Sequence, residues 1–259
     1  MPLDQLGNRI ELAAPPRRVV SLVPSITELL CDLGLRDRLV GCTKFCVHPV
    51  GLWETCQRIG GTKRVHVETV RALRPDLIVA NKEENDRATV AQLQTFCPVW
   101  TSDVPDLLSA ERMIAALAEL THTTERANAI LAANRATLDR LALPAMESAL
   151  YLIWRNPYLV AGGDTYISAV LRRVGLRNVV ADRRRYPELR IAEITDLAPQ
   201  RVLLSSEPFP FGPKQAAELR RHLPRSRVQL VDGEFFSWYG SRLGHYSEEY
   251  SFFAGNYTP

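Results

Sequence analysis

Two thiols and an imidazole stand close together in the motif Cys42-x3-Cys46-x-His48, and a third thiol, Cys56, follows. Thiolate and imidazole groups are ligands for Zn²⁺ and iron. The spacing matches no familiar zinc knuckle, and His48 precedes Pro49 in a predicted loop. Cys42, Cys46 and His48 are therefore weak candidates for a metal site, and free thiols or an opportunistic disulfide are the favoured interpretation.

Aromatic and cationic side chains collect after the predicted strands. Trp and Tyr rings bury a large area while keeping a polar group, which suits a large, flat or conjugated ligand. Lys and Arg can hold carboxylate, phosphate or hydroxamate oxygens. For each residue, the alternative is a place in the core or on a solvated rim. The candidate ligand-binding residues are Phe45, Lys63, Arg64, Asn81, Trp154, Arg155, Tyr158, Tyr186, Glu207, Phe236, Trp238, Tyr239 and Arg242.

Catalytic motifs are missing from the sequence. It contains no nucleophile elbow, no phosphate-binding loop and no dinucleotide fingerprint. The nearest approach is Ala161–Thr165, which lacks the lysine and the glycine spacing of a phosphate loop. We interpret it as a tight strand-to-helix turn, and we predict no catalytic residue.

The candidate side chains must be positioned by the strands that precede them. Short β-branched runs alternate with amphipathic helical stretches, which is typical of a parallel α/β sheet. Ligands of such sheets bind beyond the carboxyl ends of the strands. Strands are predicted at Arg18–Leu22, Leu39–Thr43, Leu77–Asn81, Val99–Asp103, Leu150–Trp154, Asn178–Asp182, Val202–Ser206 and Val228–Asp232.

Two internal repeats indicate two similar lobes. The triplet Gly34–Arg36 recurs as Gly175–Arg177, and the pattern of Val67–Pro75 recurs in Ile191–Pro199. Glycine favours a left-handed helix end, and proline ends a helix before the next strand. Repeats in the same order favour a duplicated unit.

The helices carry their own signals. Ser25 and Glu28 have the spacing of a capping box. Between the lobes, Ser109–Leu120 is predicted as one helix and Thr124–Leu141 as a longer one, which would span roughly 27 Å. We therefore expect an α/β fold of two similar lobes with parallel sheets, joined by a single long backbone helix. The expected domains are an N-terminal lobe (1–108), a helical segment (109–147, with the bridging helix at about 124–142) and a C-terminal lobe with a tail (148–259).

Length and composition exclude several classes of protein. The 259 residues are 46% hydrophobic and 24% charged, which excludes a disordered or fibrous chain. A net charge of +3 is too small to indicate nucleic acid or an anionic membrane as a partner. No apolar run reaches the ~18 to 20 residues that span a bilayer. We expect a monomer that does not span a membrane.

The first residues, MPLDQLGNRIELAAPPRRVVSL, have no basic region followed by an apolar one, so they do not form a secretory signal peptide. Five cysteines, an odd number, cannot all pair internally. On these features alone, we expect either a cytoplasmic protein or one whose export signal was removed.

The chain resembles the substrate-binding proteins of metal-chelate and cobalamin ABC importers, the helical-backbone metal receptors. The resemblance rests on RVVSLVPSITELLCDLGLRDRLVGCTKFCVHP, GGTKRVHVETVRALRPDLIVANKEEN, YLIWRNPYLVAGGDTYISAVLRRVGLRNVVAD and VDGEFFSWYGSRL. It implies two lobes of the class III periplasmic-binding-protein type and a ligand held in the cleft between them. It also implies a periplasmic or cell-envelope location and no intrinsic cofactor.

The resemblance further implies the ligand and the partner. The ligand would be a metal chelate, a corrinoid such as cobalamin or a siderophore-type ligand. Thr62 and Asn81 stand at two positions that are aromatic platforms in cobalamin binders, which makes the pocket more polar and leaves chelates other than cobalamin open. The family docks on an ABC permease with one carboxylate per lobe, which implies docking roles for Glu68 and Glu193. Glu68 lies seven residues before Pro75, whereas the residue seven before Pro199 is Ala192 and the carboxylate is its neighbour, Glu193. The alternative is a cytoplasmic metallo-enzyme or chelatase-like protein on the same frame.

Overall fold

The computed structural model describes residues 3–247 and 250–251 of the chain. These residues form two compact units. The first contains the residues up to Val104, Leu108–Asn134 and Tyr239–Arg242, and the second contains Pro105–Leu107, Arg135–Trp238 and the described residues from Leu243 onward. The segment predicted as a separate helical part, residues 109–147, is thus divided: up to Asn134 it belongs to the first unit, and from Arg135 to the second.

The first unit contains a five-stranded sheet in which every strand pair is parallel. The strand order is β3-β2-β1-β4-β5. The central strands β1 and β4 are buried along their whole length, as expected when helices cover both faces of a parallel sheet. The strands are β1 (Val19–Ser21), β2 (Leu39–Cys42), β3 (Gln57–Arg58), β4 (Leu77–Asn81) and β5 (Val99–Ser102).

Five helices belong to the first unit or lead out of it. Helix α5 begins in the first unit and ends in the second, as predicted for one long helix at this point of the chain. Helix α1 continues into an irregular turn, Cys31–Leu35, in which Gly34 takes the left-handed conformation with a φ of 85°. The helices are α1 (Pro24–Leu30), α2 (Val67–Ala72), α3 (Arg87–Gln94), α4 (Leu107–Thr121) and α5 (Thr124–Arg140).

The second unit contains a mixed sheet of the order β11-β10-β6-β7-β9, with β8 paired to β6. Strands β6, β8, β10 and β11 are parallel, whereas β7 is antiparallel to β6 and to β9. The strands are β6 (Glu147–Trp154), β7 (Tyr158–Val160), β8 (Leu176–Asn178), β9 (Glu188–Leu189), β10 (Arg201–Ser205) and β11 (Arg227–Val231). The helices are α6 (Tyr166–Arg173), α7 (Ile191–Leu197), α8 (Pro213–His222) and α9 (Gly233–Ser237).

The α/β fold predicted from the sequence is confirmed, with one correction. The second sheet is not wholly parallel, because the β6–β7 hairpin, which turns at Asn156 with a φ of 60°, adds an antiparallel strand. The strand predicted at Asn178–Asp182 instead ends at Asn178. There the Asn178 side chain donates to Ala161 O and accepts from Val180 N, which turns the backbone out of the sheet.

The capping box predicted from Ser25 and Glu28 is wrong. Pro24 is the first residue of α1 and Val23 takes the N-cap position, so Ser25 lies inside the helix. Both Ser25 and Glu28 are buried. The structure describes no helix that is long and apolar enough to cross a membrane within the ranges given above.

Candidate functional site

A tight turn after β2 presents Phe45 at the carboxyl end of the first sheet. The backbone N–H of Cys46 donates to Thr43 O at 3.1 Å, which closes the turn, and Lys44 N donates to Gly60 O at 2.8 Å. The Phe45 ring remains 50% exposed, with Lys44 Nζ 5.1 Å from its centroid. A large aromatic side chain this exposed is available for contact with a ligand.

Asn81, predicted to bind the ligand, instead organises the loop that follows β4. It is buried, its Nδ2 donates to Ser102 Oγ at 2.9 Å, and its Oδ1 accepts the backbone N–H of Glu83 and of Glu84. The backbone N–H of Asn81 donates in turn to Asn85 Oδ1 at 2.8 Å. All these bonds lie within the protein, so the geometry gives Asn81 a positioning role.

The loops after β3 and β4 are tied to each other. Asn85 Nδ2 donates to Thr62 O at 3.0 Å, and Lys63 Nζ donates to the carbonyl oxygen of Glu83. Arg64 is exposed. The two predicted cations therefore differ: Lys63 is engaged in holding the loops, and Arg64 projects from the surface of the unit.

Arg242 and Tyr239 lie on the segment that returns to the first unit. Arg242 Nη2 is 2.6 Å from Glu28 Oε1, and the side chains are only 13% and 4% exposed. Asn134 Nδ2 holds the same segment through Gly240 O at 2.6 Å. Tyr239 is also buried. Arg242, a predicted ligand-binding residue, thus forms a buried ion pair with Glu28.

Trp154 ends β6 and is the most exposed tryptophan described in the second unit, at 39%. Its ring meets the edge of Phe209 at a centroid distance of 5.7 Å. Nη2 of the neighbouring Arg155 donates to both carboxylate oxygens of Glu218, at 2.7 and 3.0 Å, and the Arg155 pKa is raised by that carboxylate and by Tyr158. Tyr158 is half-buried on β7. Trp154 is therefore presented to solvent, while Arg155 is held within the unit.

Glu207, after β10, is the centre of a polar corner. Its Oε1 accepts from Ser237 Oγ at 2.6 Å and from Trp238 Nε1 at 2.9 Å. Burial raises the pKa of the Glu207 carboxyl group above its ordinary value. Trp238 is itself buried. The corner fixes the Trp238 ring in the position where the chain leaves α9.

The remaining aromatic candidates of the second unit separate into core and surface. Phe236 is fully buried and packs against Tyr151 at 5.1 Å, so it forms part of the core. Tyr151 donates to Ser205 Oγ at 3.0 Å beneath it. Tyr186 is half-buried on the loop before β9. The structure thus brings Trp154, Arg155 and Tyr158 together, and it places Phe236 in the interior.

The two carboxylates implied in permease docking have different surroundings. Glu68, on the first turn of α2, has an 84% exposed side chain and lies 3.6 Å from Arg71. Glu193 accepts the backbone N–H of Arg190 at 2.9 Å, which caps α7 and holds the Glu193 pKa below its ordinary value. Glu193 is therefore engaged with its own helix, whereas the Glu68 carboxylate reaches solvent.

The cysteine motif does not form a metal site in the part of the chain that the structure describes, which contains no group of three or more His, Cys, Asp or Glu side chains able to hold a metal ion. Cys42 and Cys46 are buried thiols, and His48 is half-buried. The pKa of Cys42 is raised to about 12: the hydrogen bond with Cys46 favours its thiolate, but the Cys56 contact and burial outweigh that effect.

Sequence reasoning missed four residues that shape these surfaces. Asn85 and Ser237 orient loops, Phe209 supports Trp154, and Glu28 holds Arg242. The Asn81-x3-Asn85 spacing at a strand end was a usable signal, because asparagine side chains commonly bond nearby backbone groups in turns. The partnership of Glu28 and Arg242 has no local signal.

Each of the two α/β units carries aromatic and polar loops at its strand ends, where ligands of such sheets bind. The chain belongs to the periplasmic binding protein family, whose family model matches residues 19–222. This confirms the resemblance and the solute-binding role predicted from the sequence. The metallo-enzyme alternative is not favoured, since the family consists of binding proteins.

Individual proteins extend the comparison. A vitamin B12-binding protein of Yersinia pestis (strain Pestoides F) is 27% identical over 199 residues, which cover 74% of this chain and 71% of that protein. A periplasmic haem-binding protein from Pseudomonas aeruginosa matches with a TM-score of 0.75 and 26% identity, covering 88% of this chain and 89% of that one. The periplasmic vitamin B12-binding protein of Vibrio cholerae shares the fold, with a TM-score of 0.72, 21% identity, and coverage of 89% and 93%.

Proposed function

We propose that this chain captures a metal-centred macrocycle, a corrinoid or a haem, for import by an ABC transporter. The observation that carries the proposal is the pair of exposed aromatic rings, Phe45 and Trp154, each at the carboxyl end of a strand in its own unit. Flat aromatic side chains suit a flat, conjugated ligand because they bury a large area at a small cost in side-chain freedom. The names of the relatives, vitamin B12-binding and haem-binding proteins, support the same ligand class.

The choice within this class depends on the first unit. Thr62 and Asn81 stand where cobalamin binders of the resembled family have aromatic residues, which favours a ligand other than cobalamin. Phe45 supplies an aromatic surface from a different loop, and this surface is compatible with a corrinoid ligand. Lys44 is adjacent to Phe45 in the sequence and Arg155 to Trp154, and such cations suit a ligand with carboxylate or phosphate groups.

Delivery to a permease is proposed to depend mainly on Glu68. Its exposed carboxylate on α2 is suited to an arginine of a partner. In the second unit, Glu193 would have to give up its capping bond to Arg190 N, and Arg183 and Arg190 lie 3.6 and 3.7 Å from it. Docking would therefore be asymmetric, with the first unit contributing more. The proposed location is the periplasm or cell envelope, in keeping with the family.

Isothermal titration of the full chain with cyanocobalamin, haemin and a ferric siderophore tests this proposal. We expect one saturable site for cyanocobalamin or haemin and none for the ferric siderophore. Saturation by the siderophore alone would show that the ligand class is an open-chain chelate and not a macrocycle. Absence of binding to all three compounds would overturn the proposal. Calorimetry is preferred to fluorescence because haemin absorbs strongly at the wavelengths of tryptophan emission.

A further inference from the structure

Three thiols of the first unit lie next to the turn that presents Phe45. Cys42 is the last residue of β2, Cys46 closes the turn through its backbone N–H to Thr43 O, and Cys56 precedes β3. All three are buried and carry no disulfide in this structure. The proposed ligand-binding role does not use them.

The three sulfur atoms form one cluster. The Cys42 thiol interacts electrostatically with the thiols of both Cys46 and Cys56. Cys46 Sγ lies 3.1 Å from Thr27 Oγ1 and 3.3 Å from Thr43 Oγ1. The Cys46 sulfur is therefore held by two hydroxyl groups, and it interacts with the Cys42 thiol.

We propose that Cys42 and Cys46 are a disulfide-forming pair, a modification site of this chain in an oxidising compartment, and that Cys56 remains a free thiol. The family is periplasmic, and the bacterial periplasm keeps disulfides oxidised. An odd number of cysteines leaves at least one thiol unpaired, which the three-membered cluster accommodates.

The sheet register discriminates between Cys46 and Cys56 as disulfide partners of Cys42. Cys42 pairs with Arg58, so Cys56 is displaced by two residues along the neighbouring parallel strand. Extending the strand spacing of about 4.8 Å and the rise of about 3.3 Å per residue to Cys56 gives a separation of about 8 Å between the Cα atoms of Cys42 and Cys56. Disulfides need Cα atoms within about 7 Å. The turn closed by the bond from Cys46 N to Thr43 O returns Cys46 to Thr43, the residue that directly follows Cys42.

The reaction is a thiol–disulfide exchange with a small disulfide such as oxidised glutathione. One cysteine thiolate attacks a glutathione sulfur, forming a mixed disulfide and releasing one glutathione thiolate. The second cysteine thiolate attacks the protein sulfur of that mixed disulfide, forms the Cys42–Cys46 bond and releases the second glutathione thiolate. The two cysteine protons end on the two glutathione molecules, and one glutathione disulfide is reduced to two thiols.

The pair reacts while the chain folds, before the turn is buried. Burial and neighbouring thiols raise the pKa of Cys42 to about 12 and that of Cys46 further, so the reactive thiolate is scarce in the folded protein at neutral pH. Once formed, the bond would fix the turn that carries Phe45. This consequence rests on the proposed function, but the pairing itself does not.

Peptide mapping of the refolded full chain tests the pairing. The reduced, unfolded chain is refolded in a glutathione redox buffer, its remaining thiols are alkylated, and it is digested with trypsin. Cleavage after Lys44 separates Cys42, in the peptide Leu39–Lys44, from Cys46 and Cys56, in the peptide Phe45–Arg58. We expect these two peptides to be joined in most molecules of the native chain. Circular dichroism checks that each sample has refolded.

Single serine variants identify the partner. The link should persist in Cys56→Ser and in the control Cys97→Ser, and it should be lost in Cys46→Ser. A link that persists in Cys46→Ser and is lost in Cys56→Ser would overturn the assignment, as would a Phe45–Arg58 peptide closed on itself. Alkylation of all five thiols in the refolded native chain would overturn it as well. If Cys46→Ser fails to fold, the peptide maps of the native chain and of Cys56→Ser still show whether Cys42 pairs with Cys46 or with Cys56.

Discussion

Trp238 donates its indole N–H to the carboxylate of Glu207 at 2.9 Å, and Ser237 donates to the same oxygen at 2.6 Å. The carboxylate thereby satisfies two donors in a largely buried corner at the carboxyl end of β10. A buried carboxylate costs more in its ionised form than in its neutral form, which is the reason for the raised pKa of Glu207.

Glu207→Gln should remove the part of the pH dependence of the unfolding free energy that comes from ionisation of Glu207. The folded-state pKa of Glu207 is raised, so its stabilising contribution is complete below the ordinary value of about 4.3 and is lost as pH rises through the folded-state pKa. Glutamine keeps the acceptor oxygen and does not ionise. We expect the free energy of urea unfolding of the variant, relative to the native chain, to increase from pH 4 to pH 7. A decrease over that range would contradict the raised pKa.

Arg242→Met should destabilise the first unit by about 3 kcal/mol, because it leaves the buried Glu28 carboxylate without its partner. Replacing both members, Glu28→Gln with Arg242→Met, should cost less than the single change. The control is Arg64→Met at an exposed position, with an expected effect within about 0.5 kcal/mol. Unfolding in urea gives these values. A ligand-contact role for Arg242 would instead give lower affinity with unchanged stability.

Asn81→Ala should destabilise the first unit by about 2 to 4 kcal/mol. The change leaves Ser102 Oγ and the backbone N–H groups of Glu83 and Glu84 without their Asn81 partner in a buried loop. Gln94→Ala, at an exposed position of α3, is the control. Thermal unfolding followed by circular dichroism measures both. Equal stability of the two variants would contradict the positioning role and leave Asn81 as the ligand-binding residue expected from the sequence.

Glu68→Arg should lower uptake of the bound chelate roughly tenfold in cells that carry the chain and its importer, because one buried charge pair is worth about 1.4 kcal/mol or more in docking. Affinity for the ligand in solution should not change. Glu119→Arg, an equal charge change on an exposed position of α4, is the control. Equal uptake by the two variants would show that Glu68 does not take part in docking on the permease.

The fold was largely predictable from the sequence because its signals are local. Leu77–Asn81 is apolar enough to indicate a buried parallel strand, and the prolines at 75 and 199 mark the passage from helix to strand in both units. The β6–β7 hairpin was missed because its turn depends on the left-handed conformation of Asn156. Nothing in the flanking residues demanded an antiparallel strand.

The candidate site was less predictable because its contacts join distant parts of the chain. Position after a strand correctly selected Phe45 and Trp154 as exposed aromatic residues. The same rule also selected Phe236, which packs into the core against Tyr151, and Arg242, which pairs with Glu28. Residue type and spacing indicate the edge of a sheet, but they do not determine which side chains turn inward.

The most direct test of the ligand proposal compares matched aromatic variants by isothermal titration. Phe45→Ala and Trp154→Ala should each weaken binding of cyanocobalamin or haemin by roughly tenfold, the loss expected for about 1.4 kcal/mol of ring contact. Trp53→Ala is the control, since Trp53 is 38% exposed but its ring is covered by Arg58, 3.9 Å from the ring centroid. Weaker binding in the first two variants with native affinity in the third is the result that we predict. Unchanged affinity in both Phe45→Ala and Trp154→Ala would contradict the account.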